Sequence, residues 1–309
     1  MKQYEDKLTV LSQAIQLNPK GAKIIARRAE TYRLMACYRE AISDFNCAIE
    51  LVPKYVWAFA HRGESYCQMG CFHKALEDFN QAIELDPSYT WALAHRGVVY
   101  RLLEDYEKAL TDFTQAINLN PDYAWAFAYR ARTYELLYQY ERTLADFDQA
   151  ISLNETLFDD WLIKRGMILS YLGNYSEAIA CCLQVLEDDP NDYCALYNLT
   201  VFKVRNQGLL KSKADVDRAK SKLLSAENSI PQGTISYRVG GLAALQGKRG
   251  QAMNCLEIAI SLDSPEAIEY APHDTAWLDL WSDSHFLSLI ARAKCKQQYL
   301  LIQRGSLYY

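Results

Sequence analysis

Cys181 and Cys182 stand side by side, and two adjacent thiols could take part in disulfide exchange. Small apolar helix positions are the stronger reading of the pair. The other seven cysteines, at 37, 47, 67, 71, 194, 255 and 295, form no C-x-x-C and no Cys/His group with zinc-finger spacing. An odd total of nine without a regular framework points to reduced thiols and a cytoplasmic chain. Phosphate-cradling glycine loops, H-E-x-x-H and G-x-S-x-G are all absent. The expectation is therefore a protein that is not an enzyme and needs no cofactor or metal.

One charged pattern does recur. Arg28, Arg62, Arg96 and Arg130 each precede an aspartate by 16 residues, namely Asp44, Asp78, Asp112 and Asp146. Arg carries a planar fork that matches a carboxylate in fixed geometry, so the spacing predicts a ladder of internal ion pairs. The later Arg165 has Cys181 at the corresponding place, which leaves it paired differently or turned towards a partner.

The elements that hold these groups repeat every 34 residues. Trp57, Trp91 and Trp125 form one column; Tyr32, Tyr66, Tyr100 and Tyr134 another; Phe45, Phe79, Phe113 and Phe147 a third. Small residues fill two more, Ala29, Gly63, Gly97 and Ala131, then Ala48, Ala82, Ala116 and Ala150. Ala41, Ala75 and Ala109 continue as Thr143, and Pro53, Pro87 and Pro121 close their units. A fixed period of this length is the mark of a repeat architecture. Within a unit, Ala75, Phe79 and Ala82 share one helical face, so each unit reads as two helices. In the second unit, helix A is expected over about 55–69 and helix B over about 74–85, with Gly70 between them. The small residues let the two backbones approach closely, and Pro87 ends helix B.

The columns of Gly63, Tyr66, Ala75, Phe79, Ala82 and Pro87 resemble the tetratricopeptide repeat family, in particular bacterial arrays with an Arg-Gly pair in helix A. That resemblance implies an all-α, right-handed α-solenoid of about seven helix-turn-helix units, with a leading half-unit and a C-terminal capping helix. The expected divisions are a half-repeat over 1–20, four regular units over 21–154, three divergent units over 155–264 and a cap over 265–309. The half-repeat is either a true start of the stack or the edge of something longer. The fifth unit keeps Arg165, Gly166 and Ala178, and the seventh keeps Gly241, Ala252, Leu256 and Ala259. An insertion near 206–216 is expected to form a surface loop. Trp277, Leu280, Trp281, Phe286 and Ile290 are expected to pack over the last unit, since a stack needs its end covered.

In such stacks helix A lines the concave face. Helical phase then places Arg27, Glu30, Arg33, Trp57, His61, Glu64, Trp91, His95, Arg101, Trp125, Tyr129, Arg132, Glu135 and Lys164 in a groove. Trp, Tyr and Arg are enriched where interfaces bind tightly. The tryptophans suit both packing and ligand contact. His61 and His95 are expected to be exposed, which would make binding sensitive to pH near 6.5. Basic residues outnumber acidic ones in this set, which favours a partner with carboxylates. The chaperone-tail clamp of the family is not matched.

The leading functional expectation is a scaffold for protein-protein interaction. The alternative is a regulatory or sensor subunit of a separate bacterial effector enzyme, such as a protease, an NTPase or a defence effector. RNA binding ranks below both, because the net charge is −5 and no continuous basic stripe runs along the chain. The longest apolar runs are short and broken by charges, so no membrane partner is expected.

Overall fold

The computed structural model describes residues 2–153, 158–226, 229–269 and 271–306, without the side chains of 158–160, 269 and 296–306. Among the described residues every regular element is helical. They form two compact units divided between Thr133 and Tyr134, with residues 300–306 belonging to the first.

The first unit holds α1 (Lys2–Leu17), α2 (Ala22–Leu34), α3 (Tyr38–Leu51), α4 (Val56–Gln68), α5 (Phe72–Leu85), α6 (Thr90–Leu102), α7 (Tyr106–Leu119) and most of α8 (Ala124–Leu136). Helices pack in consecutive pairs, α2 on α3, α4 on α5 and α6 on α7, and each pair packs on the next, as in an α-solenoid. Phe45, Phe79 and Phe113 are fully buried, each among alanines of its own pair. The glycines make this possible. A Cβ at Gly97 would stand 3.0 Å from the Phe113 ring, and one at Gly63 would stand 3.2 Å from the Ala75 carbonyl.

Helix B of the second pair begins at Phe72, two residues before the expected Lys74. The turn between paired helices is a period-34 feature of its own. Ala36, Gly70, Glu104 and Tyr138 all have positive φ, between 57° and 74°. In the first of these turns the Cys37 amide donates to the Tyr32 carbonyl and the Ala36 amide to the Arg33 carbonyl, so the carbonyls left open at the helix end are satisfied. Only the second copy uses the residue best suited to that conformation.

The second unit holds α9 (Tyr140–Leu153), α10 (Phe158–Tyr171), α11 (Tyr175–Asp188), α12 (Tyr193–Gln207), α13 (Lys213–Ser225), α14 (Gln232–Leu245), α15 (Arg249–Ser261), α16 (Pro265–Glu269), a 3₁₀ segment (Thr275–Leu280) and most of α17 (Ser284–Ser306). Pairing continues as α10 on α11, α12 on α13 and α14 on α15. The inserted residues lengthen α12 and form a turn at Gly208, where Leu210 is 94% exposed. One core runs from Leu162 to Ala293 and ends on Trp277, stacked between Tyr237 at 5.7 Å and Phe286 at 5.9 Å. Leu280, Phe286 and Ile290 are buried with it, and Trp281 is half-buried with its indole N–H donating to Ala271. Asp283 starts α17 by accepting from the amides of His285 and Phe286, which explains its spacing from Phe286.

The small-residue column of α14 falls one residue earlier than the sequence reading places it. Gly240, not Gly241, faces the Ala252 carbonyl at 3.2 Å and the Cys255 Cβ at 2.9 Å, as Gly63 faces Ala75 and Asp78. Gly241 is needed for a different reason: a Cβ there would lie 2.1 Å from the Tyr197 hydroxyl.

Candidate functional site: a ladder of stacked rings

The predicted charge ladder is present in the first unit. Arg28, Arg62 and Arg96 each grip their aspartate with two donors, Nε and Nη2, at 2.6–2.8 Å. Burial would lower the Arg62 guanidinium, but the Asp78 carboxylate outweighs it and raises it. For Arg28 and Arg96 the aspartate bond is itself the larger influence, again upward. The remaining Nη1 reaches the opposite way. It donates to Ser12 from Arg28, to Asn46 from Arg62, to Asn80 from Arg96 and to Thr114 from Arg130. Each of these acceptors lies 16 residues before its arginine, so every fork ties one repeat to the one before. This second column went unread, although Ser12, Asn46, Asn80 and Thr114 show the same period of 34. In the second unit Arg165 is not turned outward. Its Nε takes Asp148 at 2.6 Å and its Nη1 the Cys181 thiol at 3.3 Å.

Beside the ladder runs a strip of aromatic rings from α4, α6 and α8. Trp57 lies on His61 with centroids 4.1 Å apart, and His61 stacks on Trp91 at 4.5 Å. Trp91 stacks on His95 at 3.6 Å, His95 on Trp125 at 4.7 Å, and Trp125 meets Tyr129 at 4.0 Å. The pairs four residues apart lie along one helix; the pairs 30 apart bridge successive repeats. Tyr55, Tyr89 and Tyr123 flank the three indoles at 6.0–6.2 Å. Phe45 and Phe79 support Trp57 and Trp91 from below at 5.9 and 6.3 Å. The tryptophans therefore pack and also keep part of each ring accessible, since all three are only half-buried.

The expectation of exposed histidines is corrected. His61 is buried at 9% exposure, and the His95 side chain retains 15%. Each ring is wedged between two indoles. Burial drives the His95 imidazole down to about 3, against the hydrogen bond its Nδ1 makes with the Trp91 carbonyl. It is neutral throughout the range in which an ordinary histidine titrates, which removes the argument for its pH sensitivity near 6.5.

Charged groups edge the strip. Glu30 and Arg33 pair through two bonds of 2.7 Å, and the His61 Nδ1 lies 3.2 Å from Glu30. Burial alone would raise the Glu30 carboxyl, but Arg33 and His61 overcome it and hold the group at about 2. Glu64 has no such fork; burial raises it, and its bond from Gln68 offsets only part. Arg101 and Arg132 both lie over the Tyr129 ring, at 5.8 and 5.6 Å. Arg27 is exposed. Of the fourteen groove candidates these twelve belong to the first unit, whereas Glu135 and Lys164 belong to the second.

Cys181 and Cys182 are free and buried, and burial raises both thiols, which makes them poor nucleophiles. Among the described residues no cluster of three His, Cys, Asp or Glu could hold a metal ion, and no helix is long and apolar enough to cross a membrane.

Tetratricopeptide repeat profiles match residues 56–89, 90–123 and 160–192. No curated protein matches the chain. Among solved structures it is similar to a tetratricopeptide repeat protein from Parabacteroides merdae ATCC 43184, with 17% identity, a TM-score of 0.64, and 88% of this chain and 98% of that one covered. YrrB, a TPR protein with an unusual peptide-binding site, shares 25% identity at a TM-score of 0.51 over 58% of this chain and 91% of its own. Yeast Tom70 shares 15% at 0.56, over 96% of this chain and 60% of its own.

Proposed function

The chain is a tetratricopeptide repeat protein, and we propose that it is a non-catalytic scaffold that holds a peptide or protein segment against the ring strip of its first unit. The observation that carries this reading is the run of Trp57, His61, Trp91, His95, Trp125 and Tyr129. Six rings stacked face against face make a rigid column whose three indoles stay half-buried. Its rotamers are already locked by stacking, so little side-chain entropy is lost when a partner lies on it. A core alone would bury these rings completely, as it buries Phe45, Phe79 and Phe113.

Arg27, Arg33, Arg101 and Arg132 border the platform, against Glu30 and Glu64. The excess of guanidinium favours a partner segment with aromatic or apolar residues next to carboxylates. YrrB, with its peptide-binding site, supports the class of partner but not its sequence.

Selection from a displayed random-peptide library tests this. The wild type should enrich peptides that combine apolar and acidic residues, and Arg101→Glu with Arg132→Glu should lose them. Equal enrichment by both proteins would remove the strip as the binding surface.

A further inference from the structure

The charged edge of the ring strip recurs with the helices, and one copy of it is incomplete. In the α2–α3 repeat Glu30 faces the ring of His61 from the next repeat, with Nδ1 3.2 Å from its carboxylate. Arg33, one turn along α2, closes on the same carboxylate with Nε and Nη2, both at 2.7 Å. Thirty-four residues on, Glu64 faces the ring of His95, with Nε2 at 4.0 Å. Here Cys67 takes the place of Arg33, and the following copy returns to arginine at Arg101. The column Arg33, Cys67, Arg101 lacks a guanidinium at its middle member, the one that stands a turn from Glu64.

The two acids differ accordingly. Burial acts to raise both. At Glu30 the bonds from Arg33 and His61 overcome it and hold the carboxyl at about 2. At Glu64 burial prevails, and the carboxyl stands above its ordinary range. Its one hydrogen bond in the structure is from the neutral Gln68 amide, at 2.7 Å. Arg33 acts on it only through space, because its fork is taken up by Glu30. His95 supplies no donor either. Its Nδ1 bonds to the Trp91 carbonyl at 2.9 Å, so the neutral ring keeps its proton there and turns the lone pair of Nε2 towards Glu64. Two acceptors thus face each other across 4.0 Å, a span that a group with several N–H donors can close.

The surroundings suit a guanidinium. Gln68 is exposed and Cys67 half-buried, so the carboxylate is reached past side chains that can move aside. A charged donor bonds a carboxylate about twice as strongly as the amide it would displace. Among the groove residues of the first unit every cation is an arginine: Arg27, Arg33, Arg101 and Arg132. Two of these lie over the Tyr129 ring, so the strip already receives guanidinium against its rings.

We propose that Glu64 and His95 receive the guanidinium of an arginine in the bound segment, which takes in the α4–α5 repeat the place that Arg33 takes in the repeat before. The Glu64 carboxylate accepts the fork, and His95 Nε2 accepts a further N–H. This assignment rests on the ring strip being the surface on which the segment lies. It adds one basic position to a segment otherwise apolar and acidic.

The test is a titration of the full chain with acetyl-Leu-Arg-Leu-amide, followed by the indole N–H signals of Trp57, Trp91 and Trp125. The citrulline counterpart keeps the shape and loses the charge; the lysine counterpart keeps the charge and loses the planar fork. The arginine peptide should bind about tenfold more tightly than the citrulline peptide, and more tightly than the lysine peptide. Glu64→Gln should cut the advantage over citrulline to about twofold or less, with the helical signal unchanged. Cys67→Arg should do the same by filling the site from within. It should also bring the Glu64 carboxyl, followed by its carbon signal, below its ordinary range, as Arg33 brings Glu30. The assignment fails if arginine and citrulline peptides bind alike, if Glu64→Gln keeps the difference, or if the lysine peptide binds more tightly. It fails too if Glu64 titrates in Cys67→Arg as in the wild type. Should Cys67→Arg not fold, the Glu64→Gln comparison decides alone. If library-selected peptides bind the strip while the three tripeptides bind alike or not at all, this assignment falls and the platform stands. If nothing binds the strip, both fall.

Discussion

The two units are built from the same two-helix plan and use it differently. In the first, Arg28, Arg62 and Arg96 each have two carboxylate bonds and a tie to the preceding repeat, and the strip beside them is filled with rings. In the second, Arg165 bonds to the Asp148 carboxylate and the Cys181 thiol with Glu177 at 3.9 Å, and Arg238 bonds to the Cys194 thiol between two ring faces with Glu266 at 3.8 Å. A repeat whose units satisfy one another becomes a regular surface. A repeat that departs from the pattern pairs its arginines with partners that do not recur.

The largest expected effect sharpens that contrast. Asp112→Ala leaves Arg96 beside a lost partner in a site where the Asp112 side chain is 4% exposed, and should cost about 3–5 kcal/mol in urea unfolding. Asp148→Ala removes the corresponding bond to Arg165, but Asp148 is 51% exposed, so the cost should stay below about 1 kcal/mol. Equal costs would break the comparison.

The ring strip should be sensitive to acid. His95 is held at about 3 in the folded chain, below its ordinary 6.5, so the unfolded chain takes up the proton first. The stability that follows is fully present above pH 6.5 and is lost as the pH falls towards 3. The loss should be on the order of 3 kcal/mol, and His95→Phe should flatten it. Glu30, held at about 2, adds a smaller loss below pH 4.5. A His95→Phe variant with the wild-type slope of melting midpoint against pH would show that the stack does not exclude the proton.

Gly241→Ala should cost roughly 1–3 kcal/mol, because the added carbon would meet the Tyr197 hydroxyl, which Asp274 holds in place. Thermal unfolding followed by the helical far-ultraviolet signal would read this. The smallest effect has the opposite sign. Glu104→Gly relieves a positive φ of 62° and should gain about 0.5–1 kcal/mol, visible as a raised urea midpoint.

Much of the fold was legible because the repeat is local. Alanine, phenylalanine and tyrosine columns at a period of 34 set helix pairs within a few residues of where they occur. The Arg–Asp pairs were legible for the same reason, since both partners recur together. The tie to Ser12, Asn46, Asn80 and Thr114 was visible in principle but lies among ordinary polar residues of varied type. The histidines were misread because helical phase says which way a side chain points, not what lies on the other side of it. Trp91 and Trp125 arrive from the next repeats and close over His61 and His95.

The sequence by itself determined the two-helix unit, its period and its internal ion pairs, because hydrophobic spacing and turn chemistry act over a few residues. Only the tertiary structure decided which rings are shut in, that Gly240 rather than Gly241 meets the neighbouring helix, and that Arg238 bonds to the Cys194 thiol with Glu266 at 3.8 Å. The groups around Arg238 come from Lys164 to Asp274, and no local pattern records what a buried charge will find at its end.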